Sequence, residues 1–318
     1  MGPLRRASAR TLHLEPCITR LRPILEQLDA DILCLQKVNT QRRKGEWARG
    51  FDALQVLIQN TSYESFHLAT SGDGDPTERH NLAILSRYPV IACRDILNDY
   101  IDPPHWRRRH AHPPDKSAPA IHFDRPILAV SLDLPENRPL HLFCVHLRAP
   151  LTAPVPGQKL TAKSWKSVPG WAEGYFAAAM KRTGQALELR EAVDAVFDKE
   201  EDAFVAAVGD FNAVEVEPAL RIILAELDDT GNCELASREL LPVESFGLKR
   251  TSFHGQPSRP SSHARPHPRE PRTVLATKGR PDSHNRNLAD EIEDAGTPAA
   301  LGSFHAPLVA TFDELETP

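Results

Sequence analysis

The sequence has no closely spaced pair of cysteines. Its five, Cys17, Cys34, Cys93, Cys144 and Cys233, are odd in number and far apart, with no C-x-x-C among them. That excludes a disulfide framework or a cysteine-rich zinc site as the organising principle. It fits a cytosolic setting, with Cys34 and Cys144 as buried reduced thiols in apolar runs. No apolar run reaches the ~18 residues needed to span a bilayer. The arginine-bearing N-terminus lacks the apolar stretch of a signal peptide, so neither a membrane span nor secretion is expected, and the expected location is cytoplasmic. Nor is there an excess of basic charge. The chain has 38 Lys and Arg against 43 Asp and Glu, a net charge of -5. Nothing global points to nucleic acid, although a local basic groove is compatible with that balance.

What is present is an ordinary globular composition, 41% hydrophobic and 25% charged over 318 residues. That length holds one large α/β domain or two small ones. Leu4 to Leu14 reads as a first strand weakened by its arginines. Leu21, Ile24, Leu25 and Leu28 lie at helical spacing, and Ile32 to Gln36 then reads as a buried strand, a helix-to-strand unit of α/β kind. Trp47 to Gln59 reads as a second helix. Leu82 to Ser86, Val90 to Ile96, Pro126 to Leu134, Leu140 to Leu147 and Ala306 to Phe312 read as strands. The strongest helix runs from about Ala172 to Lys199, with Leu187, Val193, Val196 and Phe197 as its apolar stripe, and another is expected from Pro218 to Leu227. Residues 256–286 carry six prolines and six arginines. They read as a loop or disordered insert, unable to supply a central strand readily.

Chemistry concentrates where strands end. Val205 to Val208 is a short apolar run that stops at Gly209-Asp210-Phe211-Asn212. Asp210 and Asn212 are two residues apart, so both face one side of the pleat. Gly209 permits a turn or a close approach. Alone, these residues read equally as a strand-end turn or as a site. His146 is either a core histidine or a site residue, and His305 either a turn residue before the last strand or a site residue. Arg107-Arg108-Arg109 reads as a solvated face, with a phosphate contact as the sharper alternative. The connection from Arg148 to Gly170 carries Lys159, Lys163, Trp165 and Lys166. It is either an ordinary loop with a packed tryptophan or a contact for a phosphate and a base.

Taken in order, DADILCLQKVN, HNLAILSRYPV, LHLFCVHL, AVGDFNA and FHAPLVATF resemble the motifs of the endonuclease/exonuclease/phosphatase superfamily. The resemblance covers roughly residues 4 to 315 apart from the Pro/Arg-rich insert. It implies one α/β domain over residues 1–318, a four-layer α/β/β/α sandwich of two mixed sheets flanked by helices, with the site at one edge. It implies hydrolysis of a phosphoester, such as a phosphodiester, with Mg²⁺ or Mn²⁺, in nucleic acid or a phosphorylated small molecule. By motif match, Asp210 orients or activates the water, Asn212 and His146 hold phosphate oxygens, and His305 is the second catalytic histidine. A divalent ion and a histidine suit this chemistry because charge must be offset on the phosphoryl oxygens and protons moved.

The metal half of the pattern differs. The resemblance places a metal-binding glutamate where Lys37 stands, an asparagine where Arg10 stands, and the aspartate of Ser-Asp-His where Phe304 stands, between Ser303 and His305. A lysine has no acceptor and cannot ligate Mg²⁺. No aspartate is matched for the strand expected between the last two motifs, although Asp282 and Asp290 are near. Three readings follow. Glu78 or Asp124 holds the metal instead; or the chain is a lapsed enzyme that binds phosphate or acts as a scaffold; or Lys37 and Arg10 supply the positive charge themselves. A segment derived from a damaged reading frame is a further explanation of residues 256–286.

Overall fold

The computed structural model describes residues 11–42, 45, 47–72, 75–135, 138–242, 273–276, 309–310 and 312. In chain order these form α1 (Thr11–Leu28), β1 (Ile32–Val38), β2 (Gln41–Arg42), β3 (Arg49–Gly50), α2 (Asp52–Ile58), β4 (His67–Thr70), β5 (Asn81–Ser86) and β6 (Val90–Ile96). There follow β7 (Ile127–Leu134), β8 (Arg138–His146), α3 (Val168–Phe197), β9 (Phe204–Asp210), α4 (Pro218–Leu224), α5 (Leu227–Thr230), β10 (Leu241–Pro242) and β11 (Thr273–Ala276). Among the described residues, no helix is long and apolar enough to cross a membrane.

Two sheets carry the fold. One is antiparallel, in the order β1-β5-β4; the larger is mixed, in the order β10-β11-β9-β8-β7-β6. Outside the irregular end of β1, strand alternation assigns side chains to layers. On the larger sheet Leu128, Val130, Leu142 and Cys144 face Leu82 and Ile84 of the smaller one, forming a core between the sheets. The alternate residues Ile127, Phe143, Val145, Val205 and Ala207 pack with Leu189, Val193 and Phe197 of α3 and Leu220 and Ile223 of α4. The far side of the smaller sheet, Leu33, Ala83 and Leu85, packs with Leu25 of α1 and Leu54 and Ile58 of α2. The mixed α/β class read from the sequence is the one observed.

Helix α3 is more than a cover for the sheet. It starts at the Ser167 cap, where the side chain accepts from Gly170 N, and it runs for 30 residues. Its buried polar residues tie down loops. Glu188 accepts from the backbone N–H of Asp99 at 2.7 Å. Glu173 accepts from Arg109 N and His110 N at 2.7 and 3.0 Å. Gln185 accepts from Arg148 N at 2.8 Å. A buried carboxylate or amide of this kind stabilises only while its partners remain, so the helix fixes the loops that flank the sheet edge.

Several sequence expectations are corrected. Thr11–Leu14 belong to α1, not to a first strand. The spacing Leu14, Ile18, Leu21, Leu25, Leu28 is helical, and the helix takes in the end of the stretch read as a strand. Residues 4–10 lie outside the described part. The second helix is the shorter α2, since Arg49–Gly50 pair as β3 with β2 and leave Trp47 exposed. Leu187 is exposed, and the buried stripe of α3 is Ala186, Leu189, Ala192, Val193 and Phe197. Inside the Pro/Arg-rich stretch, Thr273–Ala276 is a strand, parallel to β9 with Thr273 opposite Val205 and Ala276 opposite Val208. The prolines of 256–286 argued against this, but four proline-free residues suffice to pair the edge of β9. The rest of 256–286 lies outside the described residues. So do 306–308 and 311 of the expected last strand, whose Val309, Ala310 and Phe312 are not in a strand.

The tightest point is Gly209 in β9. Its φ is 144°, and a Cβ there would land on the carbonyl oxygen of Val145 in β8. Gly231, by contrast, has φ 63° with nothing near. Gly209→Ala is therefore expected to lose about 3 kcal/mol or more, from backbone strain plus overlap, and Gly231→Ala about 1 kcal/mol. Urea unfolding of the two variants checks the ratio; equal losses would contradict it.

Candidate functional site

Strand polarity gathers one edge. β8 and β9 are parallel and in register, so His146 lies opposite Asp210 at their common C-terminal ends. β7 is antiparallel to β8, so Arg125, just before β7, comes to the same end. β5 is antiparallel to β1, which brings His80 and Asn81 beside the end of β1. Asp210 and His146 are even-numbered, like Cys144 and Val208, so they face the smaller sheet and close the end of the core between the sheets.

Lys37 reaches this edge through a β-bulge. Leu35 pairs with Ala83 but Val38 pairs with Asn81, so Gln36 and Lys37 together oppose one residue of β5. Lys37 takes a left-handed backbone, φ 61°. Unbulged alternation would send Lys37 toward the helices. With the bulge, Gln36 donates to Cys144 Sγ at 3.7 Å and Lys37 Nζ reaches Asp210 Oδ2 at 3.5 Å, both across the gap between sheets. Val38 returns to the helix side. A left-handed lysine costs on the order of 1 kcal/mol. Asn81, only 3% exposed, offsets this by donating to the Val38 carbonyl at 2.9 Å.

The Asp210 corner is tied down by hydrogen bonds. Leu147 N donates to the Asp210 carbonyl at 2.9 Å. Asp210 Oδ1 accepts from Asn212 N at 3.2 Å, and Asn212 Nδ2 donates to the Leu147 carbonyl at 2.9 Å. Phe211 is buried on the α3 side, and Asn212 turns left-handed with φ 50°. The strand thus ends at Asp210. Asn212 does not share a pleat face with Asp210 by alternation; it is positioned by the turn.

Among the described residues, Asp210 Oδ2 faces Lys37 Nζ and, at 3.7 Å, His146 Nε2. The second distance is too long for a hydrogen bond. His146 is almost wholly buried, and its Nδ1 has no hydrogen-bond partner among the described residues. Burial, helped by the charges of Arg125, Lys37 and His80, pushes its pKa down to about 3. Its ring is therefore neutral at pH 7. His80, with its ring centroid 6.2 Å away, is also pushed down by burial and by Arg125 and Lys37. Arg125 donates to the His146 carbonyl at 3.2 Å.

Further along the rim, Asp124 is held by Arg148 at 3.3 Å and by Lys181. Lys37, Arg125, Arg148 and Lys181 thus collect around Asp210 and Asp124. The edge is cationic on a chain whose net charge is negative.

The structure brings together Lys37, His146, Asp210 and Asn212 of the residues singled out in the sequence. Arg10, Phe304 and His305 lie outside the described residues. His80 and Arg125 were missed. The available signal was their position immediately before strands that start at the edge where β1, β8 and β9 end.

The described residues do not fit a resident Mg²⁺, which takes about six oxygen ligands in octahedral geometry. Among them, no group of three or more His, Cys, Asp or Glu is placed to hold a metal ion. Asp210 faces an ammonium instead. The two carboxylates named as substitute ligands are elsewhere engaged. Asp124 is held by Arg148 and Lys181, and the exposed Glu78 lies 3.9 Å from Arg49.

With this geometry in hand, the Endonuclease/Exonuclease/phosphatase family model matches residues 5–275. The chain belongs to the endonuclease/exonuclease/phosphatase family. No curated protein matches it significantly. Among solved structures it is similar to an endonuclease/exonuclease/phosphatase family protein from Leptotrichia buccalis, at 15% identity over 69% of this chain and 70% of that one, with a TM-score of 0.35. It is also similar to ANGEL2, a 2',3'-cyclic phosphatase, at 15% identity over 70% of this chain and 50% of that one, TM-score 0.40. An AP endonuclease from Archaeoglobus fulgidus shares 12% identity over 66% of this chain and 64% of that one, TM-score 0.33. These superpositions are loose, and family membership rests on the family model.

The buried, neutral His146 makes a pH prediction for this family member. Its folded pKa lies below the unfolded 6.5, so the unfolded chain binds the extra proton between those values. Stability is then present above about pH 6.5 and is lost as pH falls toward 3. Between about pH 7 and pH 5 the His146→Gln variant is expected to lose about 2 kcal/mol less than the wild type. Urea midpoints at the two pH values measure this; parallel losses would show that His146 takes up its proton in the folded state.

Proposed function

We propose that this endonuclease/exonuclease/phosphatase family protein binds and slowly hydrolyses a phosphoester, in nucleic acid or a phosphorylated small molecule, with the Lys37 ammonium in place of a divalent ion. The observation that carries this reading is the 3.5 Å contact between Lys37 Nζ and Asp210 Oδ2. A positive charge stands beside the carboxylate, held there by a bulge that costs backbone energy.

The chemistry follows from the named groups. Lys37 is 43% exposed, so a phosphoryl oxygen can reach its ammonium and exchange places with Asp210 Oδ2. A fixed cation in a half-buried edge stabilises charge on the phosphoryl oxygens. Asp210, relieved of Lys37, accepts a proton from the attacking water. Asn212 has one amide hydrogen committed to Leu147 and offers the second to phosphate. Neutral His146 donates a hydrogen bond from its ring. No metal-bound hydroxide is formed, so Asp210 alone activates the water, and turnover is slow.

A second reading, a phosphodiesterase dependent on Mg²⁺ or Mn²⁺, is favoured by the Asp210-Asn212 corner and draws its remaining ligands from outside the described residues. The two readings separate on chelation. On the first, inorganic phosphate binds equally well with and without EDTA, and Lys37→Ala weakens it about tenfold or more, as expected for removing one charge-assisted hydrogen bond. Asp210→Ala abolishes the slow hydrolysis of an aryl phosphodiester. Isothermal titration and a chromogenic assay read these outcomes. Binding or turnover that disappears on adding EDTA would replace the first reading with the second.

A further inference from the structure

A second surface lies where the connection 148–167 meets the start of α3. From Arg148 to Ala172 the sequence carries Arg148, Lys159, Lys163 and Lys166 and no Asp or Glu, a local charge of +4 in a chain of net -5. The three lysines are exposed. The first carboxylate beyond them, Glu173, is buried and spent on Arg109 N and His110 N. Among these cations stand aromatic rings. Trp171 and Tyr175, one helical turn apart on α3, are 43% and 42% exposed. Their ring centroids lie 5.7 Å apart, tilted by 33°. Trp165 carries the Lys159 ammonium 4.1 Å above its ring. Between Trp165 and Trp171 a shallow hollow of about 290 Å³ is lined also by Lys166, Ser167 and Val168, near the lower limit for a small planar ligand.

The surface is built rather than loose. A Cβ at Gly170 would overlap the Gln158 side chain, and one at Gly174 would strike the Ala153 carbonyl oxygen. These two glycines, one turn apart, let the connection lie directly on the helix. Ala153 N donates to the Gly174 carbonyl at 3.0 Å, and Ser167 joins Gln158 at 2.7 Å. The corner is also continuous with the phosphoester edge. Lys181 of α3 binds Asp124 on its rim, and Trp171 is ten residues earlier on the same helix, about 15 Å along the axis.

We infer that this corner is a stacking platform for single-stranded nucleic acid running from the phosphoester edge along α3; the direction of the strand rests on the phosphoester reading of that edge. Exposed rings take the faces of successive bases, and the lysines track the phosphates. The flat faces of Trp171 and Tyr175, tilted by 33°, suit bases better than lipid tails, and three exposed lysines in a stretch with no Asp or Glu match a backbone carrying one charge per nucleotide.

The test uses the full chain and a fluorescein-labelled oligothymidylate of about twelve nucleotides. Trp171→Ala combined with Tyr175→Ala is expected to weaken binding about tenfold or more, with affinity for inorganic phosphate unchanged and Tyr175→Phe binding like the wild type. Lys163→Ala with Lys166→Ala should reduce the slope of log K against log salt by about 1.4, or ~0.7 for each phosphate no longer neutralised. Undiminished oligonucleotide affinity in the aromatic variant overturns the platform. So does an aromatic variant that no longer sediments with phosphatidylcholine/phosphatidylserine vesicles while its oligonucleotide binding persists, which would make the corner a lipid-binding surface. If Lys37→Ala leaves phosphate binding intact while the aromatic variant loses the oligonucleotide, the platform stands and the Lys37 site falls. The reverse pattern removes the platform and leaves the Lys37 site in place.

Discussion

Two parallel strands lie side by side with no room for a side chain between them. The placement of His146 beside Asp210 depends on that approach of Gly209 to the Val145 carbonyl. Parallel pairing in this register sets His146 opposite Asp210. It also requires a long crossover between the strands, and α3 supplies it. The helix in turn holds the loops at 99, 109 and 148 through Glu188, Glu173 and Gln185. Geometry at one glycine therefore propagates to the rim of the site through buried hydrogen bonds rather than through apolar packing alone.

Much of this was legible because it follows local rules. Alternation in LHLFCVHL and VAAVGD set the layers, and the ordered motifs singled out His146 and Asp210 as site residues. Glycine at 209 signalled a turn or a close approach, and the structure shows the latter. What was not legible is what breaks alternation. The bulge at Gln36-Lys37 moves a lysine from the helix face to the site, and no residue type there announces a left-handed turn. Asn212 was assigned to the Asp210 face by counting two residues, but the turn positions it. Thr273–Ala276 was hidden by the prolines around it, since the need of β9 for a neighbour is a long-range fact. His80 and Arg125 were missed because they precede strands, and an edge is visible only once strand directions are known.

The edge sets two opposing demands on its charges. Desolvation keeps His146 neutral, and nearby Arg125 and Lys37 reinforce this. The same cations are tolerable only because Asp210 and Asp124 lie among them. On the proposed phosphoester reading, a phosphate arriving there would meet a field already positive and dipoles already oriented, so that little reorganisation is needed. In this chain one lysine, held by an irregular strand, occupies the position where the family resemblance calls for a glutamate.

The larger sheet ends in an unusual way. β10 precedes β11 in sequence, yet among the described residues it joins the sheet through β11, which lies between β10 and β9. The edge of β9 therefore waits for a strand made 63 residues after its own last residue, from Asp210 to Thr273. During synthesis, or in a chain cut before Thr273, β9 presents Val205, Ala206, Ala207 and Val208 with an open row of backbone donors and acceptors. Such an edge pairs with whatever strand arrives. The same four residues that complete the sheet thus also guard the protein against joining its neighbours edge to edge.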